Sequence, residues 1–351
     1  MKKAAKTAIS TTGNTLTLPA RWYHDPAIYE AERRAVFFDE WLLFGHESRV
    51  REPGAYHAQN IAGWPVFVIR GKDGTLRGFH NVCRHRASQV LREGCGKTGV
   101  LRCLYHGWVY DDHGDLRKTP GYGGDEAALC ENTALFPVHV KIWNSLVFIC
   151  MKDGAPPPFE KSLGALPDAV KGIDFSVFHY FDAASHKINC NWKTYIENYL
   201  EGYHIPAVHP GLNAEVDFST YRVEPADRIA LHKVNTKVAD SINDGVWVWL
   251  WPNAALNIYR TGMNLEIVLP EGPESVALNY CYLFKDVSPA SDDENRRTIA
   301  MSHTVTAEDI EVCEIVQRNL RAGIYERGEL SPRHEQGVAY FQKLIAETVK
   351  I

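Results

Sequence analysis

No stretch of about 18 consecutive apolar residues occurs in the 351-residue chain, which excludes a membrane-spanning helix. The opening MKKAAKTAISTTGNTLTLP carries lysines but no apolar core, so it reads as a frayed arm and not a signal peptide, and the expected location is the cytoplasm. Charge of one sign is also missing. A net charge of -5 is small for this length and leaves no basic face for nucleic acid. There is no internal repeat and no low-complexity tract. Nor is there a G-x-G-x-x-G turn after a strand, and GYGGDE at 121–126 does not fit one. The chain therefore has no nicotinamide or flavin site of its own, and electrons from such a cofactor must arrive through a separate protein.

What is present describes a globular protein with a substantial core: 45% hydrophobic and 23% charged residues. The length suggests two domains at roughly 150 residues each. Eight cysteines are scattered along the chain, and in a reducing compartment they are thiols or metal ligands, not disulfides.

The pattern divides at Pro156-Pro157-Pro158, a stiff extended spacer. Before it, residues 25–44 read as an amphipathic helix, with Asp25 as N-cap and Pro26 at its first position. Short β-rich runs follow. PVFVIR and LRGFHNV flank Gly71-Lys72-Asp73-Gly74, a hairpin signal; Asp111 to Gly114 marks another turn; residues 143–151 read as a buried strand. After the prolines, 188–204 reads as a helix ending before Pro206, and strands dominate from about 222 to 304. Two helices close the chain, the first with Thr306 as its cap and Asp309 at its third position, the second over HEQGVAYFQKLIAETV. The expected class is α+β, a small all-β unit before a larger one.

Two short motifs carry chemistry in the first half. NVCRHRAS supplies Cys83 and His85; RCLYHGW supplies Cys103 and His106. Each pair falls in a turn. Two thiolates and two imidazoles can hold one zinc ion, or a two-iron, two-sulfide cluster with cysteines on one iron and histidines on the other. One soft and one nitrogen ligand per loop suits the second, because the loops can then grip a cluster from both sides.

The second half carries YIENYLEGYHIPAVHPG. Its histidines, His204 and His209, are five apart, which on a continuous helix would leave them about 140° apart. Pro206 forbids that helix, so the chain can curl and bring both to one metal. Two histidines and one carboxylate with open positions is the ligand set of non-haem Fe(II) oxygenases. The carboxylate candidates in AEDIEVCE are Glu308, Asp309, Glu311 and Glu314.

C-x-H-R followed by C-x-x-H-G-W resembles the Rieske domain of the Rieske non-haem iron oxygenases. That family more often has Gly and Pro where this chain has Ala87 and Leu104. Asn198, Tyr199, Glu201, Tyr203, His204 and His209 resemble its histidine motif. The resemblance covers roughly residues 40–345. It implies an N-terminal arm and helix over 1–40 packing on the catalytic domain, a Rieske [2Fe-2S] domain over 41–158, and a catalytic domain over 159–351. That last domain would be a helix-grip-like antiparallel sheet flanked by helices. It implies Cys83, His85, Cys103 and His106 as cluster ligands, and mononuclear Fe(II) on His204, His209 and Asp309, with Glu308 as fallback. Glu201 would bridge His204 to His106 of the partner subunit in a head-to-tail homotrimer. It also implies a separate NAD(P)H-dependent reductase, with or without a ferredoxin.

Most members have Asp at the bridging position. Glu201, with ENYLEGYHIPAVHPG and EDIEVCEIVQRNLRAGIYERGELS, resembles the branch of choline and carnitine monooxygenases. The expected activity is O2-dependent hydroxylation, or oxidative N-demethylation, of a quaternary ammonium or N-methyl compound. One alternative is hydroxylation of an aromatic or other small molecule by the same machinery; a more distant one is a zinc-binding, non-enzymatic module. Trp247, Trp249, Trp251, Tyr259 and Met263 lie where the pocket is expected. Aromatic faces there could hold a quaternary ammonium, although for any single one of them a plain aromatic core is the better expectation.

Overall fold

The computed structural model describes residues 15–237 and 245–350, so the expectation for the first fourteen residues lies outside the described residues. The chain forms two compact units, one of residues 38–159 and one of residues 1–37 with 160–351.

The 38–159 unit is almost all β. Its seven-stranded antiparallel sheet runs in the order Leu42–His46, Leu146–Cys150, Pro137–Trp143, Leu76–His80, Trp64–Arg70, Ala55–Ile61, Gly94–Lys97. The hairpin at Gly71 to Gly74 forms as the turn residues dictate. Asp73 Oδ1 accepts from Thr75 N–H at 2.9 Å, and the Arg77 guanidinium brackets the Asp73 carboxylate at 2.9 and 2.7 Å. A smaller three-stranded sheet, Leu101–Arg102, Val109–Tyr110 and Leu116–Lys118, carries the second Cys-His loop. Both Cys-His loops close over a core that includes Phe67, Phe79, Trp108, Tyr110 and Leu116.

Two readings in this region are corrected. The helix opened by Asp25 spans only Pro26–Glu32, continues as a wider π-helical stretch over Arg33–Phe38, and stops. Leu42–His46 is a strand with all five residues buried. A short apolar run such as WLLF fits a doubly covered strand as well as a helix, and here the sheet takes it. The buried strand read over 143–151 begins only at Leu146. Trp143 ends the preceding strand, and Asn144 and Ser145 turn the chain with φ of +46° and +62°, the paired positive values of a tight hairpin.

The other unit is α+β. Its seven-stranded antiparallel sheet has the order His179–Ile188, Ser275–Phe284, Gly262–Gly272, Ala254–Tyr259, Gly245–Leu250, Ile229–Thr236, Val216–Ala226. The helices Trp192–Tyr199, Asp292–Arg321 and Gln336–Thr348 pack against it. Asp25 caps the N-terminal helix as read, accepting from Ala27 N–H at 2.9 Å. That helix ends on fully buried Glu32, which takes Lys193 Nζ at 2.6 Å and Trp192 Nε1 at 2.8 Å.

The reading of strand to residue 304 is also corrected. Strand ends at Phe284, and residues 292–321 form one helix of 30 residues. Thr306 is therefore no cap. Its hydroxyl lies mid-helix, donating to Ser302 O at 2.8 Å. The true start carries Asp292, Asp293 and Glu294 in its first turn, which the positive end of the helix dipole favours. Among the described residues no helix is long and apolar enough to cross a membrane.

Candidate metal centres and pocket

The two Cys-His loops are the same turn used twice. Ala87 N–H donates to Cys83 O at 3.0 Å, and Gly107 N–H to Cys103 O at 3.2 Å. The residue closing each turn is left-handed, φ +57° at Ala87 and +73° at Gly107. Leu104 N–H ties the loops together by donating to Gln89 O at 3.0 Å, a bond that a proline at 104 could not make. The thiols of Cys83 and Cys103 point inward and are buried; His85 is exposed and His106 half-buried. Trp108 stacks beneath His85 with centroids 4.6 Å apart and planes 6° from parallel, and the two imidazole centroids are also 4.6 Å apart. The Tyr110 hydroxyl accepts from Arg84 N–H at 3.1 Å and lies 3.2 Å from Cys83 Sγ, to which it is left to donate. Desolvation, then the neighbouring His85 and Arg86, lower the His106 imidazole from its ordinary value.

In the larger unit the two histidines are brought together by a different break in the chain from the one expected. The helix ends at Tyr199, five residues before His204, and a short helix Ile205–Val208 takes Pro206 into its first turn, where a missing N–H costs nothing. Between them Glu201 turns back on the chain: its carboxylate receives the backbone N–H of Tyr203 and, at 3.2 Å, that of His204. Gly202 is required here by a close approach, because a Cβ would meet the Tyr221 ring at 2.3 Å. Glu201 Oε1 also contacts His204 Nδ1.

That leaves His204 Nε2 free to face His209 Nε2 at 3.1 Å. Asp309 Oδ1 is 3.0 Å from His209 Nε2 and 3.5 Å from His204 Nε2. Among the described residues these are the three whose donor atoms come within 4.8 Å of one another, so they could hold one metal ion.

Each member of the trio has a polar support. Glu201 holds His204; Glu308 Oε2 holds His209 Nδ1 at 2.7 Å; Asn198 Nδ2 donates to Asp309 Oδ1 at 2.7 Å. Burial alone would lower the His209 imidazole, but Asp309 and Glu308 on its two nitrogens raise it above the ordinary value. Of the other carboxylate candidates, Glu314 is spent on Asn189, at 2.9 Å to its N–H and 2.8 Å to its side chain. Glu308 is beside the trio, not in it.

A cavity of about 340 Å³ opens on this trio. Tyr195, Tyr199, Tyr221, Trp247, Tyr259 and Tyr280 supply its aromatic lining, with Asn257, Asn264 and Glu266 from the sheet. Of the residues expected there, Trp247 and Tyr259 line it. Trp249 and Trp251 pack on Phe341, with centroids 5.6 and 6.3 Å away, and Met263 is wholly buried, one residue out of phase with Asn264 and Glu266. Reading from the sequence missed Glu266 and the roles of Asn198 and Glu308. The signal for Glu266 was there: in GMNLEIVLP, Asn264 and Glu266 are polar at i and i+2 of a strand otherwise wholly apolar through Leu269.

Paired Cys-His loops in one unit, and a His-His-Asp cluster over an aromatic cavity in the other, describe a non-haem iron oxygenase with two metal centres. The chain belongs to the Rieske-type ring-hydroxylating oxygenases. The family described as ring hydroxylating alpha subunit (catalytic domain) matches residues 175–351, and the Rieske [2Fe-2S] domain matches residues 40–135. Among relatives, the chain is 30% identical to the chloroplastic choline monooxygenase of Arabidopsis thaliana, over 95% of this chain and 83% of that one. It is 29% identical to the carnitine monooxygenase oxygenase subunit of Escherichia coli K12, over 95% and 94%. Among solved structures it is similar to the quaternary ammonium Rieske monooxygenase CntA in complex with L-carnitine. The TM-score is 0.84 and the identity 27%, with 96% of each chain covered.

Proposed function

We propose that this protein is the oxygenase component of a Rieske monooxygenase whose substrate is a small quaternary ammonium or N-methyl compound. The observation that carries the reading is the trio of His204, His209 and Asp309 opening on a cavity whose walls are mostly aromatic. Aromatic faces attract a desolvated organic cation through the ring quadrupole. The substrates in the names of the choline and carnitine relatives point the same way.

In this reading Cys83, His85, Cys103 and His106 hold the [2Fe-2S] cluster, and His204, His209 and Asp309 hold the iron. When bound, the two centres supply electron relay and O2 activation, turning a substrate C–H into C–OH. The protein's own part is positional. Glu308 and Glu201 accept from the Nδ1 atoms of His209 and His204, which fixes each ring with Nε2 toward the metal position. Asn198 holds the Asp309 carboxylate in place. The tyrosines and Trp247 exclude water and orient the substrate. Hydroxylation of a carbon next to nitrogen leaves a carbinolamine, which collapses to an amine and a carbonyl compound.

Glu201 is the residue through which the metal site communicates with a second subunit, contacting His106 of the partner subunit in a head-to-tail trimer. Inter-subunit electron transfer in a similar quaternary ammonium Rieske monooxygenase supports a path across a subunit boundary. A separate reductase delivers the electrons. Glu201→Ala is expected to keep both metal centres and lose most steady-state turnover; wild-type turnover in that variant would refute the bridge.

A single-turnover assay tests the substrate class. The protein is reduced chemically, freed of reductant, and exposed to O2 with choline, carnitine, other betaines and a set of aromatic acids. Oxygenated or dealkylated products from the quaternary ammonium set support the proposal. Products from the aromatic set alone favour the second reading, which rests on the same aromatic lining.

A further inference from the structure

Glu266 is a buried carboxylate for which neither the metal site nor the electron path has a use. It lies on Gly262–Gly272, is 4% exposed, and lines the cavity beside the His-His-Asp trio. Its partners are all neutral. Tyr195 Oη donates at 2.6 Å and Asn257 Nδ2 at 3.2 Å, and Tyr280 also contributes a hydrogen bond. Among the described residues no Lys, Arg or His pairs with it. A buried carboxylate is ordinarily compensated by a cation or a metal, because desolvating its charge is costly. Glu32, fully buried in this unit, obeys that rule with Lys193 at 2.6 Å. At Glu266 no compensating charge is found among the described residues; burial pushes its carboxyl up to about 7, so a bound cation would hold it ionised, and its open side faces an aromatic cavity.

We propose that Glu266 is the substrate-binding counter-ion of this pocket, pairing with the positive nitrogen of an organic cation while Tyr195, Tyr280 and Trp247 enclose it. The inference rests on the cationic substrate class proposed above and adds the residue that selects charge. Aromatic rings attract a cation but also accept a neutral group of the same shape. A desolvated carboxylate does not, since a neutral isostere leaves it buried and unpaired. Charge selection is therefore assigned to Glu266 and shape selection to the rings. Asp309 lies close enough for its charge to be felt at Glu266. A nitrogen anchored there brings its neighbouring carbons to the metal side of the cavity.

The test is equilibrium binding to the iron-loaded protein without O2. The probes are choline, L-carnitine and γ-butyrobetaine, and 3,3-dimethylbutan-1-ol as the uncharged shape-match of choline. Wild type is expected to prefer choline over the alcohol by about 30-fold or more, the scale of one buried charge pair. Glu266→Gln keeps the size and an acceptor oxygen, and is expected to reduce that preference to a few-fold, by weaker binding of choline and tighter binding of the alcohol, which no longer leaves a buried charge unpaired. The wild-type comparison needs no variant and stands even if Glu266→Gln folds poorly. Cation binding of wild-type strength in a folded Glu266→Gln would overturn the assignment and leave the substrate class intact. Wild-type binding of uncharged ligands alone would overturn both.

Discussion

Replacing Asn198 tests the metal site from a position that touches no metal. Asn198 sits in the last turn of the helix Trp192–Tyr199 and donates through Nδ2 to Asp309 Oδ1 at 2.7 Å. That oxygen is also the one facing His209 Nε2 at 3.0 Å. Asn198→Leu keeps the volume and removes the donor. A hydrogen bond to an ionised group contributes about 1.5–3 kcal/mol net. Because it holds Asp309 in its ligating position, most of that difference is expected in iron affinity, a loss of about 10- to 100-fold. Competition against a chelator of known affinity measures it directly. The Rieske cluster provides an internal control, since its visible absorption should not change. Iron affinity within threefold of wild type would refute the reasoning. Asp309 would then be held by its own burial and by His209, not by Asn198.

Three further outcomes follow from the packing. Ala87 holds a left-handed φ of +57° where its counterpart is Gly107, so Ala87→Gly is expected to stabilise the protein by about 0.5–1 kcal/mol in chemical unfolding. Lys193→Met leaves Glu32 buried without its partner and should cost about 3–5 kcal/mol, whereas Glu32→Leu with Lys193→Met together should restore most of that loss. Equal losses in the single and double variants would show the pair to be irreplaceable. Glu197 is pushed up to about 7, first by burial, against the hydrogen bonds from Tyr23 and Gln342 that lower it. A carboxyl whose folded pKa lies above its unfolded value binds more protons folded than unfolded. Its contribution to stability is therefore full below about pH 4.5 and lost as pH rises to about 7. Unfolding free energies at pH 5 and pH 8 should converge in Glu197→Gln relative to wild type.

Most of the donor atoms were legible because ligation is a matter of residue type and spacing. Cys-x-His, Cys-x-x-His and His-x4-His survive any error in the surrounding secondary structure, and that error was real. The helix expected to carry His204 ends at Tyr199, and Thr306 and Asp309 lie in the middle of a helix instead of at its start. Pro206 does not make the break, since it opens the next short helix; the break is made earlier, at Glu201 and Gly202, and only the glycine is an ordinary helix-stop signal. Glu201 contributes to the break by turning its own carboxylate onto the N–H groups of Tyr203 and His204. One side chain thus ends the local structure and contacts His204 Nδ1. The two carboxylates on the trio's outer nitrogens, Glu201 and Glu308, come from opposite ends of this sequence separation. The first is legible because it lies three residues from its histidine. The second becomes a partner of His209 only when the 30-residue helix is packed in place. Glu266 is harder still. Its meaning lies in the cation that is missing around it, and a missing partner can be recognised only after the neighbours are known. Local ligand patterns can therefore be read from sequence, while the charge balance of a pocket is a property of the packed fold.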